Sequence, residues 1–263
     1  MTGTAAIAGA TLNWGVATDV GAVRQMNQDS YCTQPPVFVV ADGMGGQSAG
    51  DVASREAIAA ISALADQVPV TGEMLTASLA DARARIARID VDHGRPPGTT
   101  LSGVIVTQDD AEPYWMVVNI GDSRTYKLDS DGFKQVTVDH SAVQELIDSG
   151  EIDPATANFH PIRNIVTRAL LPNTEYPADV WLLPMIAGDR IMVCSDGLTR
   201  EVDDNGIATV LREVADPQAA ADQLVRDAVA AGGHDNVTVL IVDAVQAGAP
   251  SDATSPMPVQ RMQ

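Results

Sequence analysis

The feature that most constrains this chain is a short apolar segment that runs directly into an acid and several glycines. Residues 37–46 read VFVVADGMGG, so an uninterrupted apolar run precedes Asp42. A run of this length predicts a β-strand that is buried on both faces. The Asp-Gly pair after it is typical of a tight turn, because glycine reaches backbone conformations that other residues avoid. Taken alone, Asp42 is compatible with a plain turn as well as with a site.

The same arrangement of strand and acid occurs at three further places. Residues 190–197 (RIMVCSDG) end in Asp-Gly, residues 115–123 (WMVVNIGDS) contain Gly-Asp, and an Asp-Asn pair precedes residues 237–242 (VTVLIV). Antiparallel neighbours place the end of one strand beside the beginning of the next, so we expect the acids to converge on one sheet edge. A cluster of hard oxygen ligands is suited to Mg²⁺ or Mn²⁺. The four acids are Asp42, Asp122, Asp196 and Asp235.

Together, these segments resemble the metal-dependent protein serine/threonine phosphatases of type 2C, in their bacterial form. As a set they are specific to that family, although no single one of them is. They occur in the family's order between residues 11 and 243. The matching segments are GAVRQMNQDS (21–30), VFVVADGMGG (37–46), GTTL (98–101), VVNIGDSRTY (117–126), DHSAVQELIDSGEI (139–152), HPIRNIVTRAL (160–170), VCSDGLT (193–199) and GGHDNVTV (232–239).

The order of predicted elements indicates an α+β fold. Strand-like segments cluster at residues 98–138 and 179–193, and helix-like segments occur in separate pairs instead of alternating with strands. The resemblance implies a four-layer αββα sandwich, with two antiparallel sheets flanked by helix pairs and a metal cleft at one sheet edge.

The domain boundaries follow from composition and from the extent of the resemblance. We expect a flexible N-terminus at residues 1–10 and a catalytic domain at 11–245, which includes a flap at about 139–175 beside the cleft. Residues 246–263 contain Gly, Ala, Pro, Ser and Asp without periodicity, so we expect a disordered tail.

Composition excludes several classes of partner. The net charge of −19 would repel nucleic acid and anionic membrane surfaces. No apolar run approaches the roughly 20 residues that a membrane helix needs, and the first residues lack the features of a signal peptide. The two cysteines, Cys32 and Cys194, have no metal-binding spacing. We therefore expect a cytoplasmic protein.

The resemblance implies the metal ligands. Asp42 would bridge two Mg²⁺ or Mn²⁺ ions, and the Gly43 carbonyl would add to one of them. Asp196 and Asp235 would hold the other ion. Asp122 matches the position that, with Asp196, completes a third and weaker site in bacterial members.

The resemblance also implies groups that bind phosphate and orient water. Arg24 matches the family's phosphate-binding arginine, whose planar fork suits two phosphoryl oxygens. Asp29 would orient metal-bound water, and Asn236 would steady the same surroundings. Gln28 replaces a glutamate of many relatives, and Gln47 replaces a histidine of several. Neither change removes a metal ligand, but a Gln at 47 cannot serve as general acid.

The function implied is hydrolysis of phosphoserine and phosphothreonine in proteins by a metal-activated water. The enzyme would counteract a serine/threonine kinase. Two alternatives stay open: a phosphatase-like regulatory or binding module without turnover, and a metal-dependent hydrolase of a small phosphorylated molecule. A regulatory module would be expected to lack metal-binding acids, and this chain has all four.

Overall fold

The computed structural model describes residues 2–45, 49–90 and 96–247. Gln47 and residues 248–263 of the expected tail therefore lie outside the described residues. The described chain forms two six-stranded sheets in which all strand pairs are antiparallel. This arrangement confirms the α+β sandwich that the sequence predicted.

The first sheet has the strand order β1-β2-β12-β11-β8-β9. Its strands are β1 (Thr2–Ile7), β2 (Ala10–Asp19), β8 (Arg124–Asp129), β9 (Gly132–Gln135), β11 (Arg190–Cys194) and β12 (Val237–Gln246). The second sheet has the order β10-β7-β6-β4-β3, and β5 pairs with β4. Its strands are β3 (Asp29–Gln34), β4 (Val37–Met44), β5 (Gly98–Thr99), β6 (Leu101–Asp109), β7 (Glu112–Ile120) and β10 (Asp179–Pro184).

Helices cover the outer faces of both sheets. The pair α1 (Ala49–Ile61) and α2 (Gly72–Ile86) shares a core with the second sheet, and α5 (Asp204–Glu213) and α6 (Pro217–Ala231) share one with the first. Helix α6 begins at Pro217, because Asp216 accepts a hydrogen bond from the Ala219 N–H and proline occupies the first turn. Two shorter helices, α3 (Ala142–Asp148) and α4 (Asp196–Thr199), lie near the cleft.

Strand β4 explains why its apolar run is uninterrupted. Val37 and Val39 face the core shared with α1 and α2, whereas Phe38 and Val40 face the core between the two sheets. Successive side chains of a strand point to opposite faces, so a strand covered on both sides needs apolar residues at every position.

The expectation of a flexible N-terminus was wrong. Residues 2–7 form β1, which pairs with β2 from Thr2 opposite Gly15 to Ile7 opposite Ala10. The small residues there serve packing, since a Cβ at Gly3 would lie 2.3 Å from the ring of Trp14. At the other end, Gln246 belongs to β12 and not to the predicted tail. No helix in the described part of the chain is long and apolar enough to cross a bilayer.

Candidate metal centre

The predicted acids meet at one end of the sandwich, and both sheets contribute to the cluster. Asp42 lies near the end of β4, directly opposite Asp29 of β3, in the second sheet. Asp196 follows β11 and Asp235 precedes β12, both in the first sheet. Asp122 lies in the segment between β7 and β8, which connects the two sheets. The acids thus come from both sheets, and not from the single sheet edge that we expected.

The backbone at Asp42 is held by two threonines. Its N–H donates to Thr100 Oγ1 at 3.0 Å, and its carbonyl accepts from the Thr100 N–H and from Thr99 Oγ1, each at 2.9 Å. Thr100 Oγ1 also lies 2.7 Å from the hydroxyl of Ser123, which is adjacent to Asp122. These bonds fix the positions of two acids relative to one another.

Gly43 allows a close approach between β4 and the start of α1. A Cβ at this position would lie 2.1 Å from the Gly50 carbonyl oxygen, and the Gly43 N–H donates to the Gln28 carbonyl at 3.1 Å. Gly197 has a similar role beside Asp196, since its Cβ would lie 2.0 Å from the Asn236 carbonyl oxygen. The glycines of both Asp-Gly pairs are therefore required by packing.

Asp29 links the two sheets through one carboxylate oxygen. Its Oδ2 accepts hydrogen bonds from Ser195 Oγ at 2.8 Å and from Thr238 Oγ1 at 2.7 Å. Sequence reasoning missed these two hydroxyls, although Ser195 directly precedes the predicted ligand Asp196. They hold the Asp29 carboxylate in one orientation, with its other oxygen free of those bonds.

Two buried carboxylate oxygens in the cluster have no hydrogen-bond partner among the described residues. They are Asp29 Oδ1 and Asp196 Oδ1. A buried carboxylate oxygen without a partner is costly, and a divalent cation or a water bound to one is the kind of group that would satisfy it. The charge of Asp196 is also one of the causes that raise the pKa of Asp42, so these two carboxyl groups lie close enough to repel each other.

The electrostatics of the cluster favour cations in the same way. Burial, with the nearby Asp196 and Asp235 charges, raises the pKa of Asp29 to about 7. Burial and the Asp196 charge raise the pKa of Asp122 to about 8. Burial and four neighbouring acids hold the pKa of Asp42 well above its ordinary value. A donor set of mutually repelling carboxylates fits Mg²⁺ or Mn²⁺.

Two arginines form ion pairs with the carboxylates of Asp196 and Asp235. Arg24 Nη2 and Arg200 Nη1 each lie 2.8 Å from Asp235 Oδ2, and Arg200 also pairs with Asp196 Oδ2. As the side chains stand, no three acid, His or Cys residues of the described chain are arranged to close around one ion. Sequence reasoning missed Arg200; its spacing of four residues from Asp196 was the available signal.

Comparison with known proteins identifies the family. A family model described as Protein phosphatase 2C matches residues 22–231, which is most of the chain. The chain belongs to the protein phosphatase 2C family. This finding confirms the family that the sequence segments indicated.

Relatives in this family include bacterial serine/threonine phosphatases. The chain is 37% identical over 239 residues to "Serine/threonine protein phosphatase PstP" of Mycobacterium tuberculosis, covering 89% of this chain and 45% of that protein. It is 35% identical to "Serine/threonine phosphatase stp" of Listeria innocua, covering 86% of this chain and 93% of that protein. The chain thus spans less than half of PstP but nearly all of the Listeria relative.

A solved structure that is similar to this chain contains metal ions. The catalytic domain of PstP "in complex with 2 Manganese ions" is 34% identical, with a TM-score of 0.79 over 89% of this chain and 99% of that one. That structure shows that a 2C catalytic domain of this similarity binds two Mn²⁺ ions.

Asn236 organises the loop that carries the predicted phosphate-binding arginine of this 2C family member. Its side-chain amide donates to the Val20 and Met26 carbonyls and accepts from the Gln28 N–H, each at 2.9 Å. The Asn236 N–H donates to Asp235 Oδ1, also at 2.9 Å. Its place beside the cluster agrees with the expected supporting role, which stays a prediction.

Gln28 directly precedes β3, and its side chain lies beside the start of α1. A Cβ at Gly50 would lie 2.7 Å from Gln28 Nε2, so the side chain packs against the backbone of α1. The Gln28 carbonyl accepts from Ser54 Oγ at 2.6 Å. A role toward a metal's water likewise stays a prediction.

A cleft of about 310 Å³ adjoins the cluster on the side of the predicted flap. Asp122, Asp196 and Arg200 line one side of it, and Gln144 and Arg163 of the flap line the other. A larger and mostly apolar groove of about 1090 Å³ lies between α2 and residues 173–180, and it includes none of the acids. We place the site at the smaller cleft, because it adjoins the acid cluster and the larger groove does not.

Proposed function

We propose that this chain is a Mg²⁺- or Mn²⁺-dependent phosphatase that hydrolyses phosphoserine and phosphothreonine in proteins. The observation that carries the proposal is the buried cluster of acids, in which one oxygen of Asp29 and one of Asp196 have no hydrogen-bond partner within residues 2–45, 49–90 and 96–247. The family membership and the two Mn²⁺ ions in the PstP catalytic domain support it.

The side chains that would hold the ions are those of the cluster. Asp42 and the Gly43 carbonyl, with Asp196 and Asp235, would hold two ions, and Asp122 with Asp196 would hold a third. When bound, such ions lower the pKa of water and neutralise phosphoryl oxygens. The protein's part is to fix these acids on two rigid sheets, as the threonine contacts to Asp42 do.

Arg24 and Asp29 would act on the substrate and on the attacking water. The Arg24 side chain is about half exposed and pairs with Asp235, so it can turn its guanidinium fork toward two phosphoryl oxygens. Asp29 is held through Oδ2, which leaves Oδ1 to accept a hydrogen bond from water and orient it. In-line attack by that water needs no covalent intermediate.

The experiment that tests this proposal is hydrolysis of a phosphothreonine peptide with Mn²⁺, with EDTA, and with the Asp196→Asn variant. We expect turnover that requires the metal and falls by at least about a hundredfold in the variant. Asp109→Asn, at an exposed position in the hairpin between β6 and β7, is the matched control and is expected to retain activity.

The alternatives give different results in the same assay. Folded protein that binds Mn²⁺ but never turns over would support a regulatory module. Hydrolysis of free phosphorylated metabolites, but of no phosphopeptide, would support a small-molecule hydrolase. Either outcome would refute the proposed activity.

We further propose a cognate serine/threonine kinase as partner and the cytoplasm as location. The relatives named serine/threonine phosphatases support the first. The buried free thiols of Cys32 and Cys194 support a reducing compartment. Dephosphorylation of an autophosphorylated kinase from the same genome, and fractionation of cells, test the two points separately.

A further inference from the structure

Arg200 places a permanent positive charge inside the acid cluster. It follows the single turn of α4, four residues after Asp196, and its backbone N–H donates to the Asp196 backbone carbonyl at 3.0 Å. This spacing puts both side chains on one side of the turn. The Arg200 side chain is only 26% exposed, so its guanidinium is held against the acids and not in solvent.

The two acids that Arg200 contacts are the pair assigned to one ion. One arm of the guanidinium pairs with Asp196 Oδ2, and the other lies 2.8 Å from Asp235 Oδ2. An ion at those oxygens would meet the positive charge of the guanidinium, and Asp235 Oδ2 already accepts from both Arg24 and Arg200. In the described part of the chain, no ion pair of this kind involves Asp42.

The neighbouring cleft gives the arginine a place to move. Arg200 lines the cleft of about 310 Å³ together with flap residues such as Gln144 and Arg163. A long side chain anchored on one turn can rotate into that space without a change in the backbone. Movement of the guanidinium would free Asp196 Oδ2 and would leave Asp235 Oδ2 paired with Arg24, whose side chain is about half exposed.

We propose that Arg200 is a built-in competitor for the ion held by Asp196 and Asp235. The inference rests on the proposed metal centre. Without metal, the guanidinium neutralises the pair and stabilises the fold. With metal, the ion at Asp42 and Gly43 binds first, and the second ion binds only when the guanidinium leaves. The two ions therefore bind with unequal affinity, and Arg200 sets the difference.

The test is calorimetric titration of EDTA-stripped protein with Mn²⁺, together with the melting temperature of the stripped protein. The variants are Arg200→Gln, which removes the charge, and Arg200→Lys, which keeps the charge but loses the fork. Arg226→Gln, at an exposed position on α6, is the control with the same charge change. Neither readout depends on phosphatase activity.

We expect Arg200→Gln to bind the weaker ion at least about tenfold more tightly, because an adjacent charge changes the affinity of a carboxylate for a cation by that order. Its melting temperature without metal should fall. Arg200→Lys should lie between Arg200→Gln and the wild type, and Arg226→Gln should match the wild type.

Unchanged or weaker Mn²⁺ binding in Arg200→Gln would overturn the inference and leave the metal centre intact. If no protein binds Mn²⁺, the proposed metal centre fails as well, so the two failures are distinguishable. Should stripped Arg200→Gln not fold, chelator competition with the Mn²⁺-loaded protein replaces the titration. Slower loss of the weaker ion than in the wild type is then the expected result, and equal or faster loss would overturn the inference.

Discussion

Asp29→Asn is expected to stabilise the metal-free protein while weakening its metal centre. Asparagine has the shape of aspartate, and its carbonyl can accept the hydrogen bonds from Ser195 and Thr238 that Asp29 Oδ2 accepts now. What the variant removes is a carboxylate whose pKa burial raises to about 7 from an ordinary 3.8.

The size of the effect follows from that shift. About three pKa units, at 1.36 kcal/mol each, make ionised Asp29 cost the fold about 4 kcal/mol at pH 8. The new amide must itself be buried where Asp29 Oδ1 has no partner, which costs about 2 kcal/mol. The net gain is about 2 kcal/mol, which corresponds to about 4–8 °C in melting temperature for a domain of this size.

The assay is thermal unfolding at pH 8 in EDTA and in excess Mn²⁺. We expect Asp29→Asn to melt higher than the wild type in EDTA and to gain less from Mn²⁺. Asp109→Asn should behave as the wild type in both. A lower melting temperature for Asp29→Asn in EDTA would refute the reasoning, because it would show that the buried carboxylate contributes more through its hydrogen bonds than it costs as a charge.

Two further predictions concern pH and packing. Without metal, stability should fall as the pH rises from about 4 to about 8, because Asp29 and Asp122, with pKa values of about 7 and 8, hold protons that the unfolded chain has already released. Thermal unfolding in EDTA between pH 5 and 9 measures this fall, and a rise over that range would contradict it. Gly43→Ala should lower the free energy of unfolding by about 1–3 kcal/mol and weaken Mn²⁺ binding, because its Cβ would lie 2.1 Å from the Gly50 carbonyl oxygen. Calorimetry and unfolding in denaturant check both effects, and unchanged Mn²⁺ affinity would show that the start of α1 can shift without moving Asp42.

The sequence predicted those parts of the fold that depend on local pattern. The uninterrupted run in β4 indicates burial on both faces, and Val37 and Phe38 do face two different cores. An Asp-Pro pair at 216–217 stands at the start of α6, where the aspartate caps the helix. Such features follow from side-chain periodicity and capping, which a single segment contains in full.

The parts that the sequence did not predict depend on contacts between distant segments. The small residues of β1 indicate disorder when read alone, and only the ring of Trp14 above Gly3 shows why they are small. The hydroxyls that hold Asp29 come from Ser195 and Thr238, more than 160 residues away along the chain. That both sheets supply acids follows from strand order, which local pattern does not specify.

The candidate site is also the place where this fold opposes its own stability. Asp29, Asp42 and Asp122 have raised pKa values, because the folded chain buries these carboxyl groups beside other acids that repel their charged forms. The chain as a whole carries a net charge of −19, so positive charges are scarce. Two of them, Arg24 and Arg200, both pair with Asp235 in the cluster. Two arginines on one carboxylate oxygen neutralise one part of the cluster, and Asp29 Oδ1 and Asp196 Oδ1 stay without a hydrogen-bond partner in the part of the chain that the structure describes. A divalent cation at Asp196, with a bound water that donates to Asp29 Oδ1, would satisfy both oxygens and relieve the repulsion, so metal binding should contribute to folding as well as to chemistry.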